Sequence, residues 1–315
     1  MSTFTLAVHG GSGTILKSEL TPAQEKAHME GLEDALRAGY TILEKGGSAL
    51  QAVESAIIVL EDNIHFNAGR GSVFTKKGFQ EMDAAIMDGT TLNAGAVAGV
   101  CNVRNPIELA TAIMNHSPHV FLCGEGAKEF AEQQGIAMED DSYFFSQFRY
   151  DQWLSIRDTD SYALDHSNGD IDALTVNKKM GTVGAVACDQ NGNLAAATST
   201  GGMTNKQFGR IGDSPIIGIG TYANNNTCAI SCTGHGEPYI RTVAAYDVSC
   251  LMEYKRLSLQ QAMDKVVNDK LLKIDGDGGM IGVDAQGNAA LIFNTTGMYR
   301  GAKSSNGLHE VAIYK

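Results

Sequence analysis

Residues 181–182, Gly-Thr, stand where a polar stretch with little apolar periodicity gives way to "TVGAVACDQNGNLAAATST", a run fit for a core hairpin. A threonine hydroxyl is a weak nucleophile unless a base lies beside it. One chemical solution makes the threonine the first residue of a new chain, so that its own α-amine, with a pKa of roughly 7.7–8.0, takes the proton. Gly181 leaves the preceding carbonyl open to the Thr182 hydroxyl, and the polar stretch supplies slack for self-cleavage. Taken alone, the same residues also describe an ordinary linker running into an ordinary strand.

Other residue types bear on that choice. "ATSTGG" places Thr200 at the far end of the hairpin, near where Thr182 begins. "CTGHGE" follows Thr233 with Gly234 and Gly236, a backbone that lets a small ligand come close. "GRIGDSP" puts Arg210 and Asp213 on one glycine-flanked loop. Arginine forks onto a carboxylate and aspartate holds an ammonium, so the pair suits the two charged ends of a free amino acid. A surface salt bridge is the alternative for that loop.

The elements that must position these residues are partly legible. "FTLAVHGG" (4–11) predicts a strand. Thr21, Pro22 and Gln24 predict a capped helix that Gly46 and Gly47 stop, and Ser48 with Gln51 starts the next. Residues 61–74 read as a glycine-bearing loop and 80–100 as two strands joined at Asp88-Gly89. Asn105 is expected to cap a helix beginning at Pro106, followed by a short strand, "HVFLC", and a short helix, "GEGAKEFAEQQG". From about 154 to 181 the composition is that of a flexible linker. Beyond it, "IIGIGTYA" and "CAISCTG" read as strands, "PYIRTVAAYDVSCLMEY" and "SLQQAMDKVVNDKLL" as helices, and 279–298 as a second hairpin. The hairpins turn at matching D-x-x-G-N segments, Asp189–Asn193 and Asp284–Asn288. Antiparallel sheets with helices outside predict a layered α+β fold, two sheets stacked between helical layers.

Composition removes several classes of function. A net charge of −12 with no basic stripe argues against nucleic acid as a partner. No segment has the pattern of a signal peptide or a membrane span, which points to a cytoplasmic protein without membrane contact. The six cysteines are scattered without a CxxC pair, as expected of buried, reduced thiols. Glycine is abundant, 36 residues against 5 prolines, as tight turns and close backbone approaches require.

Taken in order, "HGGSG", "FNAGRGSVF", "MDAAIMDG", "GTVGAVACDQNGNLAAATSTGG", "GRIGDSP", "CTGHGE" and "FNTTGMYRG" resemble the plant-type L-asparaginase and isoaspartyl-peptidase family of N-terminal-nucleophile hydrolases. The similarity runs from residue 5 to about 301. It implies a four-layer αββα sandwich made as one domain, 1–315, and cut between Gly181 and Thr182 into an α subunit (1–181) and a β subunit (182–315). It also implies a dimer of such two-chain units.

Roles carry over by position. Thr182 matches the nucleophile and base, and Thr200 a threonine hydrogen-bonded beside it. Thr233 and Gly234 match the oxyanion stabilisers, and Asn67 a neighbour of the nucleophile. Arg210 matches the clamp on the substrate α-carboxylate, with Asp213 and Gly236 at its α-ammonium. Backbone carbonyls of Leu60, Glu61, Asn63, Phe66, Ala68 and Arg70 match a structural Na+ loop, and catalysis itself needs no cofactor. The implied substrates are L-asparagine and isoaspartyl dipeptides. Two other readings stay open: aspartylglucosaminidase, acting on glycosylasparagine, and an uncleaved, non-enzymatic amino-acid-binding relative.

Overall fold

Two β-sheets organise the molecule, and the alternation of residues along the central strands shows how. In this computed structural model, which describes residues 3–159 and 181–315, the larger sheet has eight strands in the order β12-β11-β1-β5-β6-β2-β3-β4. These are β1 (Thr5–Gly13), β2 (Met82–Asp88), β3 (Ala94–Val100), β4 (Phe121–Cys123), β5 (Val183–Cys188), β6 (Leu194–Thr200), β11 (Gly297–Ser304) and β12 (His309–Tyr314). The smaller sheet runs β10-β9-β8-β7, from β7 (Thr221–Ala223), β8 (Cys228–Gly234), β9 (Gly278–Asp284) and β10 (Ala289–Phe293). Among the named strands of the described residues, β3–β4 is the one parallel pairing.

Strands β5 and β6 are buried on both faces, and β5 and the first half of β6 read as continuous apolar runs, while Thr198, Ser199 and Thr200 end β6 as buried polar residues. Successive side chains still alternate. Val183, Ala185, Ala187, Ala195 and Ala197 enter one core with Leu32, Leu36, Val53 and Ile57. Val186, Cys188, Leu194 and Ala196 enter the other with Ile230, Met280 and Ile281. The first core lies against α1 (Pro22–Glu44), α2 (Ala49–Glu61) and α3 (Pro106–His116). Across the second, β8 packs on β5 and β6 and β9 on β1, while α8 (Ala244–Lys255) and α9 (Leu259–Lys265) pack on the smaller sheet. Among the described residues, no helix is long and apolar enough to cross a membrane.

Local chemistry behaves as expected at three helix starts. Thr21 with Gln24, Ser48 with Gln51, and Ser258 with Gln261 each form a capping box. The two D-x-x-G-N turns share one geometry. Asp189 Oδ1 accepts from Asn191 N and Asn193 N, Asp284 Oδ1 from Gln286 N and Asn288 N, and Gly192 and Gly287 take φ near +80°.

Elsewhere the structure corrects the sequence. Asn105 precedes α3 but does not cap it; its amide donates to Asp62, and the Ile107 N–H is taken by Glu61 Oε1 from α2. Residues 216–220 are turns rather than strand, because the backbone of Gly220 lies close to Asp213 O. The helix expected over 238–254 breaks at Val243, whose φ of 52° separates α7 (Gly236–Thr242) from α8. The helix expected from Ser258 tightens and loosens instead: after α9 it passes through a π turn, Val266–Leu271, and a 3-10 turn, Leu272–Ile274. Helix α4 (Gly124–Gln134) is followed by two not expected at all, α5 (Asp141–Phe144) and α6 (Gln147–Ile156). Helix α6 also covers 154–156, where the linker was expected to begin; residues 160–180 of that linker lie outside the described residues. The final hairpin, β11–β12, lies largely beyond the reach of the motifs and pairs with β1. The six cysteines are free, but only Cys188, Cys228 and Cys232 are buried, and Cys123 is exposed.

Candidate active site

Thr182 lies at the leading end of β5, in the middle of the larger sheet, and is buried. The β5–β6 register pairs Val183 with Ser199, which brings the next residue out, Thr200, alongside Thr182. The Thr182 hydroxyl donates to Thr200 Oγ1 at 3.1 Å, and Thr200 Oγ1 donates to Gly181 O at 3.1 Å. Asn67 Nδ2 donates to the same carbonyl at 2.8 Å and to Gly202 O at 2.7 Å, while its Oδ1 accepts from Val73 N. The carbonyl of the Gly181–Thr182 bond is therefore held by two side-chain donors while the adjacent hydroxyl is hydrogen-bonded to one of them. A Cβ on Gly201 would come within 2.5 Å of Asn67 Oδ1, so glycine there keeps Asn67 in place.

His9 has no expected role in the sequence, yet it fixes the other side of Thr182. It is fully buried; Nδ1 lies 3.0 Å from Thr182 O and Nε2 2.9 Å from Ser231 Oγ. Burial depresses its pKa to about 3, against the opposing hydrogen bond to Thr182, so the ring is neutral. A carbonyl only accepts, so Nδ1 carries the proton and the Ser231 hydroxyl donates to Nε2. Thr198 then donates to Ser231 at 2.7 Å and Thr221 to Thr198 at 2.6 Å, an ordered hydroxyl chain between the sheets. Gly184 makes room for it: a Cβ there would meet His9 Nε2 and Ser231 Oγ at 2.1 Å.

Thr233 and Gly234 end β8, facing β1 across the stacked sheets. Ser12 on β1 pins Thr233 twice, its N–H donating to Thr233 Oγ1 at 3.2 Å and its hydroxyl to Thr233 O at 3.0 Å. Gly234 has no room for a side chain: a Cβ would lie 2.6 Å from Asp277 O.

Arg210, Asp213 and Gly236 come together as the sequence suggested, with one partner it did not suggest. Glu237 forks onto Arg210 (Nε–Oε1 3.0 Å, Nη2–Oε2 2.8 Å) and lies 3.0 Å from His235 Nε2. Burial pushes the Glu237 carboxyl upward, but hydrogen bonds from His235 and Arg210 outweigh it and hold the group well below the usual carboxylate range. Asp213 is buried, and its Oδ2 has no partner among the described residues. Desolvation raises its pKa to about 7 despite the pull of Arg210. Such an acceptor is built to receive a cation. A Cβ on Gly236 would lie 2.9 Å from both Arg210 Nη2 and Asp213 Oδ1, so glycine keeps the space between fork and carboxylate open.

Two further features border this group. A cavity of about 390 Å³ next to Arg210 and Glu237 is lined by Met203, Asn205, Lys206, Gln207 and Phe208. On the other side, the 60–70 loop carries Asn67. Four of its expected ion-binding carbonyls, those of Leu60, Asn63, Phe66 and Ala68, accept loop N–H groups, and that of Leu60 is also approached by the Asp62 N–H. The Arg70 guanidinium is turned onto the Tyr143 ring, 5.2 Å from its centre, whereas the buried Arg149 guanidinium donates to two other carbonyls in or beside this stretch, those of His65 and Gly71.

Known proteins resemble the chain over its whole length. A family profile described as asparaginase matches residues 2–313. The isoaspartyl peptidase of Salmonella typhimurium is 50% identical over 315 residues, covering 100% of both chains. That of Escherichia coli is 48% identical, covering 100% of this chain and 97% of its own. A protein of Arabidopsis thaliana called probable isoaspartyl peptidase/L-asparaginase 2 is 40% identical, covering 100% of both. With end-to-end similarity of this extent, the chain belongs to the asparaginase family that includes the isoaspartyl peptidases.

Proposed function

We propose that the chain cuts itself between Gly181 and Thr182 and then hydrolyses the side-chain amide of L-asparagine and of isoaspartyl dipeptides to give L-aspartate. The observation that carries this reading is the set around the scissile carbonyl: Thr182 Oγ1 beside Thr200, with Thr200 and Asn67 both donating to Gly181 O. In the first reaction the Thr182 oxygen attacks the Gly181 carbonyl carbon and the two donors stabilise the oxyanion. The C–N bond breaks as the hydroxyl proton passes to the departing nitrogen, leaving an ester and a free α-amine. Water then hydrolyses the ester, giving a Gly181 carboxylate and a new chain that begins at Thr182.

In the second reaction that amine takes the Thr182 hydroxyl proton as the oxygen attacks the substrate's side-chain carbonyl. The Thr233 hydroxyl and the Gly234 N–H stabilise the oxyanion. Ammonia or the amino-acid leaving group departs with the proton, and water hydrolyses the acyl-enzyme. Arg210 would exchange its fork from Glu237 to the substrate α-carboxylate, and Asp213, with the Gly236 backbone, would receive the α-ammonium. The names and identities of the relatives support the substrates.

Three structural readings accompany the proposal. The packing of helices outside both sheets supports a four-layer αββα sandwich. The carbonyls of Leu60, Glu61, Asn63, Phe66, Ala68 and Arg70 would hold a structural Na+, stiffening the loop that carries Asn67 without taking part in a step. The working unit would be a dimer of two-chain units.

Mass spectrometry of purified protein during incubation, run beside an ammonia-release assay on asparagine, tests the proposal. Expected are two fragments meeting at 181/182 and activity that grows with them; Thr182→Ala should show neither, and Thr182→Ser a residue of each. A full-length chain that turns over asparagine at an undiminished rate would remove the free amine from the mechanism.

A further inference from the structure

Lys206 is the least expected charge near the site. Its side chain is 2% exposed, yet its carboxylate neighbour, Glu81, is 4.0 Å away. Among the described residues, one hydrogen bond, to Glu81 O at 2.9 Å, takes one of its three N–H groups. Asp83, buried on β2, also feels the lysine, but burial pushes that carboxyl toward the neutral form. Burying an ammonium with so little direct pairing is costly unless an anion joins it.

The lysine lines the 390 Å³ cavity that also touches Arg210. It is close to the reacting bond. A Cβ on Gly202 would lie 3.1 Å from Lys206 Nζ, and Gly202 O is held by the same Asn67 amide that holds Gly181 O. Met203 and Phe208 add apolar surface to the same cavity, and Phe208 is fully exposed.

We propose that Lys206 binds the free carboxylate of the leaving residue of a β-aspartyl dipeptide, with Met203 and Phe208 against that residue's side chain. The inference rests on the amidohydrolase reading of the site and deepens it. Asparagine carries one carboxylate and one ammonium, which Arg210 and Asp213 match. A β-aspartyl dipeptide carries a second carboxylate, and Lys206 is a second cation on the same cavity. Met203 and Phe208 favour an apolar leaving residue such as leucine.

The test compares two ligands that differ only in the charge in question: β-Asp-Leu and its C-terminal amide, β-Asp-leucinamide, with kcat/KM measured on the processed enzyme. The wild type should prefer the free acid by about 10–100-fold, the range of a hydrogen bond to a charged group. In Lys206→Met the preference should shrink to about twofold or less, whatever the variant's absolute rate. Equal turnover of acid and amide by the wild type overturns the proposal without needing any variant to fold. So does a preference that survives in Lys206→Met, since another group then reads the carboxylate. Failure to hydrolyse either dipeptide would overturn instead the reading of the site on which the proposal rests.

Discussion

The Thr200 hydroxyl lies 3.1 Å from both Thr182 Oγ1 and Gly181 O, accepting from the would-be nucleophile while donating to the carbonyl it would attack. Thr200→Val keeps the shape and removes both interactions. Self-cleavage should slow by about 10²-fold or more, as loss of one oxyanion donor does. Asn67→Leu should act similarly through the second donor. A gel time course of freshly purified protein reads both; cleavage at the wild-type rate in both variants would mean that the carbonyl needs no such help.

Arg210 and Gly236 should separate the two reactions. Self-cleavage involves no free α-carboxylate, so Arg210→Ala should leave fragment formation near normal while raising KM for asparagine by about 10–100-fold. Gly236→Ala would push a methyl between the Arg210 guanidinium and the Asp213 carboxylate, each 2.9 Å from it, and should show the same split. Equal loss of processing and turnover in both variants would contradict the clamp.

Asp213 gives the site a pH signature. With its carboxyl raised to about 7, the free enzyme holds the proton on Asp213 below that pH and cannot attract an ammonium. Besides the limb set by the Thr182 α-amine, kcat/KM for asparagine should therefore carry a second fall as pH drops through about 7, and this second limb should lie at lower pH in kcat because bound ammonium favours the carboxylate. Stability should run the other way. The folded group keeps its proton up to about 7, whereas the unfolded one loses it near 3.8, so stability declines as pH rises across that window. Asp213→Asn should lose this decline. A variant whose melting temperature tracks that of the wild type at every pH would place the titration elsewhere.

His9 predicts the opposite slope. Its folded pKa of about 3 lies below the unfolded value of 6.5, so the stability it contributes is lost as pH falls from 6.5 toward 3. His9→Leu strands Thr182 O and the Ser231 hydroxyl and should cost about 2–4 kcal/mol near neutral pH. Thermal melts at pH 7 and pH 4 check both parts: the gap between wild type and variant should narrow in acid.

How far the sequence carried the reading depended on how local each signal is. Capping boxes at Thr21, Ser48 and Ser258 span three residues and were legible, as were the D-x-x-G-N turns. Asn105 misled because its cap position is served from α2 by Glu61. The apolar run at Ile216–Gly220 misled because its backbone turns to approach Asp213. The site was legible as a set of motifs, but two of its most closely engaged members were not. His9 meets Thr182 across 173 positions, and Glu237 meets Arg210 across 27. No spacing rule connects them; "HGG" read only as the end of a strand and "GHGE" only as a glycine-bearing backbone, with no role for His9 or Glu237.

The proposed scission at 181/182 would divide the larger sheet between two pieces. Along the larger sheet, β12 and β11 come from the second piece, β1 from the first, β5 and β6 from the second, and β2, β3 and β4 from the first. The two products would be interwoven, joined along three seams of backbone hydrogen bonds, and neither could leave without the sheet coming apart. Denaturing the mature protein would turn a single-chain folding problem into an encounter between two strangers, so its recovery should depend on concentration where that of the uncut precursor does not.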